Sequence, residues 1–184
     1  MAILDLSLQL KVSVPCLLLG AILFGVSFSV DKWIKWSTAS SSGFAGLWKA
    51  CFQQSDVTYC YTWNSDTMDT FKLSRDWIHK SQALQCLGLV VMLGALGSTI
   101  VFIFIKLRLA VIAAVVTSFG SAAFMVIGCA VFASDVNDDA VYGTIADFDW
   151  AFGFNIVAAI FTTAAGVGLL LQTILHRTTT NTPT

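Results

Sequence analysis

The sequence predicts a mainly α membrane protein: a four-transmembrane-helix bundle carrying a small extracellular antiparallel β-sheet braced by a disulfide. Three observations predict it. Only 11% of the 184 residues are charged while 57% are hydrophobic, and mean hydropathy is +0.78. A soluble domain carries about 25% charged residues, so this chain has too few to face water all round. Four apolar stretches then stand out, near 12–30, 83–105, 109–133 and 150–175. Each is long enough to cross a hydrocarbon core of about 30 Å at 1.5 Å per residue. Finally, the longest polar interval, 31–82, holds two cysteines among aromatic and β-branched residues. All eleven acids are aspartate and none is glutamate. Glutamate belongs on solvated helix faces, so its absence fits helices that face lipid. A net charge of −1 argues against nucleic acid as a partner and leaves membrane lipids as the first one.

The elements follow in order. The first stretch is read as a retained helix rather than a cleaved signal peptide. Its apolar run of about 18 residues exceeds the roughly 7–15 of a signal h-region, and no A-x-A site follows. Helices two and three are joined only by "KLR", which forces them to be antiparallel neighbours. Interval 134–149 and the tail "HRTTTNTPT" complete a single domain, 1–184, with no internal repeat or linker. Charge sets the orientation. Lys11 precedes the first helix, but Lys32 and Lys35 follow it, so that helix says little. The "KLR" turn has Lys106 and Arg108 and no acid, whereas 134–149 has Asp135, Asp138, Asp139, Asp147 and Asp149 and no base. The positive-inside rule then places the turn and both termini in the cytoplasm, and both long loops outside the plasma membrane.

Outside the cell a disulfide between Cys51 and Cys60 persists. A loop of this size is worth about 2–3 kcal/mol in chain entropy. The flanking runs "KWIKWST", "LWKACFQ" and "VTYCYTW" read as short strands separated by the turns "SSSG" and "QSD". So small a hairpin is marginal alone; a bridge between neighbouring strands and packing on the helix ends would hold it. Trp33, Trp36, Trp48 and Trp63 are read as amphipathic anchors at the lipid-water boundary, on the premise that a sheet lying on a bilayer lacks an ordinary core.

These residues together resemble a known family. Four spans, a large first outer loop, and the run Trp33, Gly46-Leu47-Trp48, Cys51 and Cys60 are similar to the claudin, peripheral myelin protein and epithelial membrane protein superfamily. Its signature is W … G-L-W-x-x-C-x(8–10)-C. "SQALQCLGLVVMLGALGSTIVFIFIKL" and "DWAFGFNIV" resemble the second and fourth helices of the epithelial membrane branch. The resemblance implies a claudin-like domain with a structural role at cell-cell contacts, in adhesion or as a paracellular barrier or channel. Its partners would be further copies of itself or related tetraspan proteins. It equally implies the alternative, an auxiliary subunit of a larger channel, receptor or transporter. The chain departs from the family pattern in several places. Tyr61 and Thr62 stand where claudin pores carry a selectivity charge. The second loop has no proline, the first has no N-x-[ST] sequon, and "NTPT" lacks the apolar end that a PDZ groove takes. Arg75 lies near the family's arginine before the second helix, in a run, "KLSRDWIHK", that also reads as a solvated face.

The remaining candidates are weaker. "DVNDD" begins like an EF-hand, but the sixth and twelfth positions are Ala140 and Ala146, which rules that loop out. The five acids of 134–149 form either an ordinary solvated loop or a negative outer face that gathers cations or a basic partner. No catalytic, metal or cofactor constellation is expected: His79 and His176 fall on opposite sides, and no acid pairs with them in the spans. Cys16, Cys86 and Cys129 read as small apolar residues, with palmitoylation of Cys16 and a Cys86–Cys129 bridge as alternatives. Gly88, Gly94, Gly97, Gly120, Gly128, Gly166 and Gly168 are expected on faces where helices approach closely. Asn155, the polar residue at depth, is expected to hydrogen-bond a neighbouring helix.

Overall fold

The computed structural model describes residues 8–37, 42–54, 57–63, 76–138 and 147–180. Four helices carry the fold: α1 (Leu8–Ser29), α2 (Asp76–Ile105), α3 (Arg108–Asp138) and α4 (Trp150–Thr180). Between α1 and α2 lie β1 (Ile34–Ser37), β2 (Ser42–Ala45), β3 (Lys49–Gln54) and β4 (Val57–Thr62); β5 (Asp147–Phe148) precedes α4. All four helices are long and apolar enough to cross a membrane, and their outward faces are apolar, as at Val90, Leu93 and Ile160. The protein is a multi-pass membrane protein with four spans.

All four helices run past the apolar stretches read from the sequence, α1 at its start by four residues. At 1.5 Å per residue the 30 residues of α2 measure about 45 Å, well over the hydrocarbon thickness of about 30 Å. Hydropathy marks the part of a helix that meets lipid, whereas the helix continues wherever its polar side chains find partners. In the first turns of α2, Ser81 Oγ donates to the Gly128 carbonyl at 3.1 Å, and Gln82 Nε2 donates to the Leu47 carbonyl. α3 likewise continues to Asp138, so part of the expected second loop is helix.

α2 packs most extensively on α3 and α1 on α4, and an α3–α4 contact joins the pairs. The α2–α3 turn closes at Lys106, whose φ of 54° is the left-handed conformation that helix ends favour. Its N–H donates to the Phe102 carbonyl at 2.9 Å. Close approach holds at some of the expected glycines and at Gly20 of α1, which was not among them and where a Cβ would stand 2.6 Å from Thr162 Oγ1 of α4. A Cβ at Gly128 would stand 2.7 Å from Gln85 Nε2, while one at Gly97 would meet nothing within 4 Å. Gly97 therefore lies off the packed faces. Cys16, Cys86 and Cys129 are free thiols, so no Cys86–Cys129 bridge forms.

The five strands form one antiparallel sheet in the order β4-β3-β2-β1-β5. It sits on the end of the bundle where α1 and α3 finish and α2 and α4 begin. β1 alternates buried and exposed residues, as a half-covered strand should. Its inward residues Ile34 and Trp36 join Ala50 of β3 in one cluster with Ile78, Phe132 and Ala151 of the helices. The premise that this sheet lacks an ordinary core is therefore corrected. It shares one with the helix ends.

Candidate functional site

The site is the joint between sheet and bundle, and its construction starts at the end of α1. A helix leaves its last four carbonyls without intrahelical donors. Here Val30 N–H returns to the Val26 carbonyl at 3.2 Å, and two tryptophans take the next ones. Trp33 Nε1 donates to the Ser27 carbonyl at 2.8 Å, and Trp48 Nε1 to the Phe28 carbonyl at 2.7 Å. A third indole closes the motif on itself, with Trp63 Nε1 donating to the Gly46 carbonyl at 3.0 Å. Trp33, Trp36 and Trp63 are buried. The boundary-belt reading is thus corrected for these three, which fill the core under the sheet, while half-buried Trp48 shares the capping of α1 with Trp33. Trp33 meets the rings of Phe132 (5.0 Å between centroids) and Phe152 (5.7 Å) edge-on, the arrangement that ring quadrupoles favour.

Gly46 and Leu47 make this docking possible. A Cβ at Gly46 would stand 2.4 Å from the Cα of Asp31, so the strand reaches the end of α1 only without a side chain there. Leu47 is fully buried. Overpacking against backbone costs about 1–3 kcal/mol. Gly46→Ala is therefore expected to lower the melting temperature of the detergent-solubilised protein by several degrees. Gly97→Ala, which adds its methyl to open space, is expected to leave it unchanged or raise it slightly.

The disulfide lies one strand further out. Cys51 of β3 faces Cys60 of β4 in register, and the two are bonded, with Cα atoms 4.1 Å apart. That is near the spacing of a facing pair without ladder hydrogen bonds. Cys51 is buried while Cys60 and most of β4 are exposed, so the bond ties an outlying strand to the docked ones.

Asp31, in the joint itself, carries the site's electrostatics. One carboxylate oxygen is buried without a hydrogen-bond partner. Burial pushes its pKa above the ordinary 3.8, although the Lys49 charge and backbone N–H pull it down. A raised folded pKa means that folding favours the protonated acid. The stability from this group therefore rises as pH falls through the folded pKa, and levels off below 3.8. Asp31→Asn is expected to melt higher than the parent at neutral pH, with the gap shrinking towards pH 4. A gap that does not vary with pH would remove Asp31 from this role.

The expected acidic site is placed as follows. Asp149 Oδ1 accepts the Trp150 N–H at 2.8 Å, at the positive end of α4. Asp147 stands opposite Lys35 in the β1–β5 register. Asp135 and Asp138 fall on the backbone of α3. Asp139 and Arg75 lie outside the described residues. Sequence reasoning missed Asp31, Gln82 and Gln85. Asp31 follows directly on an apolar helix, which is a legible signal; the two glutamines carried none beyond polarity near a span.

No protein-family model matches the chain, and no curated protein matches it.

Proposed function

We propose that the chain is a claudin-like tetraspan protein of the plasma membrane, with the sheet outside, both termini in the cytoplasm and a structural role at cell-cell contacts. The observation that carries this reading is β4. It is exposed on both faces, with Val57 and Tyr59 each 49% exposed. Among the described residues no strand covers its outer edge. A covalently braced strand with a free edge offers both backbone groups and side chains to another chain. Side-by-side association with like proteins, and contact across an intercellular gap, would use that edge together with the 134–149 loop. The disulfide and the basic "KLR" turn at the opposite end support the orientation.

The test is expression of the protein alone in non-adherent cells, with its distribution imaged. The expected result is enrichment wherever two expressing cells touch, and loss of that enrichment when Val57 and Tyr59 are both replaced by lysine. Diffuse label with co-purification of one large membrane protein would instead support an auxiliary subunit of a channel, receptor or transporter. Diffuse label without such a partner would remove both readings.

A further inference from the structure

A relay of side-chain amides crosses the bundle, and its direction is forced. Gln85 Nε2 donates to the Met125 carbonyl at 3.2 Å. Its Oε1 is thereby committed to α4, where it accepts from Asn155 Nδ2 at 3.1 Å. Asn155 Oδ1 then stands at the end of the relay, buried and without a donor. Turning Asn155 round would set its oxygen against Gln85 Oε1; turning both amides would set Gln85 Oε1 against the Met125 carbonyl. Neither rearrangement keeps both bonds, so the orphaned atom is the acceptor Asn155 Oδ1. A buried acceptor is costly to leave unpaired, and hydrocarbon offers no water to relieve it.

Asn155 lines a recess of about 280 Å³ between α3 and α4. Met125 and Cys129 form its inner wall; Val126, Ala130 and Ile156 lie at its rim, exposed on the outer surface of the bundle. None of its lining residues is charged. A water occupies roughly 30 Å³ in the liquid, so one water would satisfy the acceptor and leave most of the apolar wall bare. Depth is informative too. Asn155 is five residues into α4, about 7–8 Å along its axis, whereas Met125 and Val126 lie deeper in the span.

We propose that this recess binds a neutral membrane lipid of the sterol class, whose single hydroxyl donates to Asn155 Oδ1 while its ring body lies against Met125, Val126 and Ile156. A hydroxyl near the membrane boundary with an apolar body pointing to the midplane matches the order of the lining. A phospholipid or an ionised fatty acid would set its oxygens against an acceptor, with no cation in the recess to balance them. A rigid ring system also loses little conformational freedom on binding.

The experiment uses the full-length protein in phosphatidylcholine nanodiscs, a photoreactive sterol, and mass spectrometry of the labelled peptides. The expected result is labelling within residues 125–133 or 152–159, abolished by Ala130→Trp, which fills the mouth from an exposed position. The matching 3-keto sterol, which accepts hydrogen bonds but donates none, is expected to label about three- to tenfold less. In Asn155→Leu the two sterols should label alike; should that variant misfold, the parent and Ala130→Trp decide alone. Equal labelling of the parent by both sterols would overturn the proposal. So would labelling indifferent to Ala130→Trp, stronger labelling by phospholipid or diacylglycerol probes, or none above background, the outcome for a recess that holds only water.

Discussion

Trp33→Ala is expected to destabilise the protein by about 3–5 kcal/mol, the range for truncating a large buried aromatic. Trp33 is fully buried, and the change has two parts. It opens a cavity beside Phe132 and Phe152, and it strips the Ser27 carbonyl of the indole that caps it. Trp33→Phe shifts the balance towards the second, since it keeps much of the ring while losing the donor; it should cost about 1–3 kcal/mol. The effect should also be local. Hydrogen exchange is expected to accelerate across β1 to β3 and the last turn of α1, while the middle of α2 and α3, held by their own contacts, stays protected. Equal loss of protection throughout the bundle would mean that sheet and helices form one cooperative unit rather than a docked pair.

Removing the disulfide with Cys51→Ala and Cys60→Ala together is expected to cost about 2–3 kcal/mol, from the entropy regained by the opened loop. Its consequence differs from that of Trp33. β1 to β3 remain on the helices through Trp33, Leu47 and Trp48, whereas β4 is mostly exposed and is held chiefly by its ladder to β3 and by half-buried Tyr61 against the core under the sheet. Hydrogen exchange should therefore rise at Val57–Thr62 and little elsewhere. Because β4 is the edge offered to partners in our proposal, enrichment at cell contacts should fall as well. Loss of protection at Val57–Thr62 with no loss of contact enrichment would place the adhesive surface elsewhere.

The contrast between these two variants shows what was legible in the sequence. The spans were legible because lipid imposes a compositional rule over twenty or so residues. The strand pairing around Cys51 and Cys60 was legible because β-branched and aromatic runs were punctuated by turn residues. The tryptophans were visible, but their task was misread. An amphipathic ring suits a membrane boundary and a helix cap equally, and only the position of a carbonyl such as that of Ser27 distinguishes them. Helix ends were missed for a similar reason. Ser81 and Gln82 look like loop residues until the Gly128 and Leu47 carbonyls are placed opposite them, and Gln85, inside the expected span, gives no sign in the sequence of its Met125 partner. The fifth strand escaped notice because two residues, Asp147–Phe148, carry no periodicity; β5 exists only because β1 offers it an edge.

A membrane-impermeant maleimide applied to intact cells tests the central claim most directly, that an oxidised Cys51–Cys60 pair braces a sheet standing outside a four-span bundle. We predict no labelling of either residue before reduction, and labelling of the exposed Cys60 after brief treatment with an impermeant reductant. Labelling without reduction, or labelling after reduction only once the cells are permeabilised, would contradict the account.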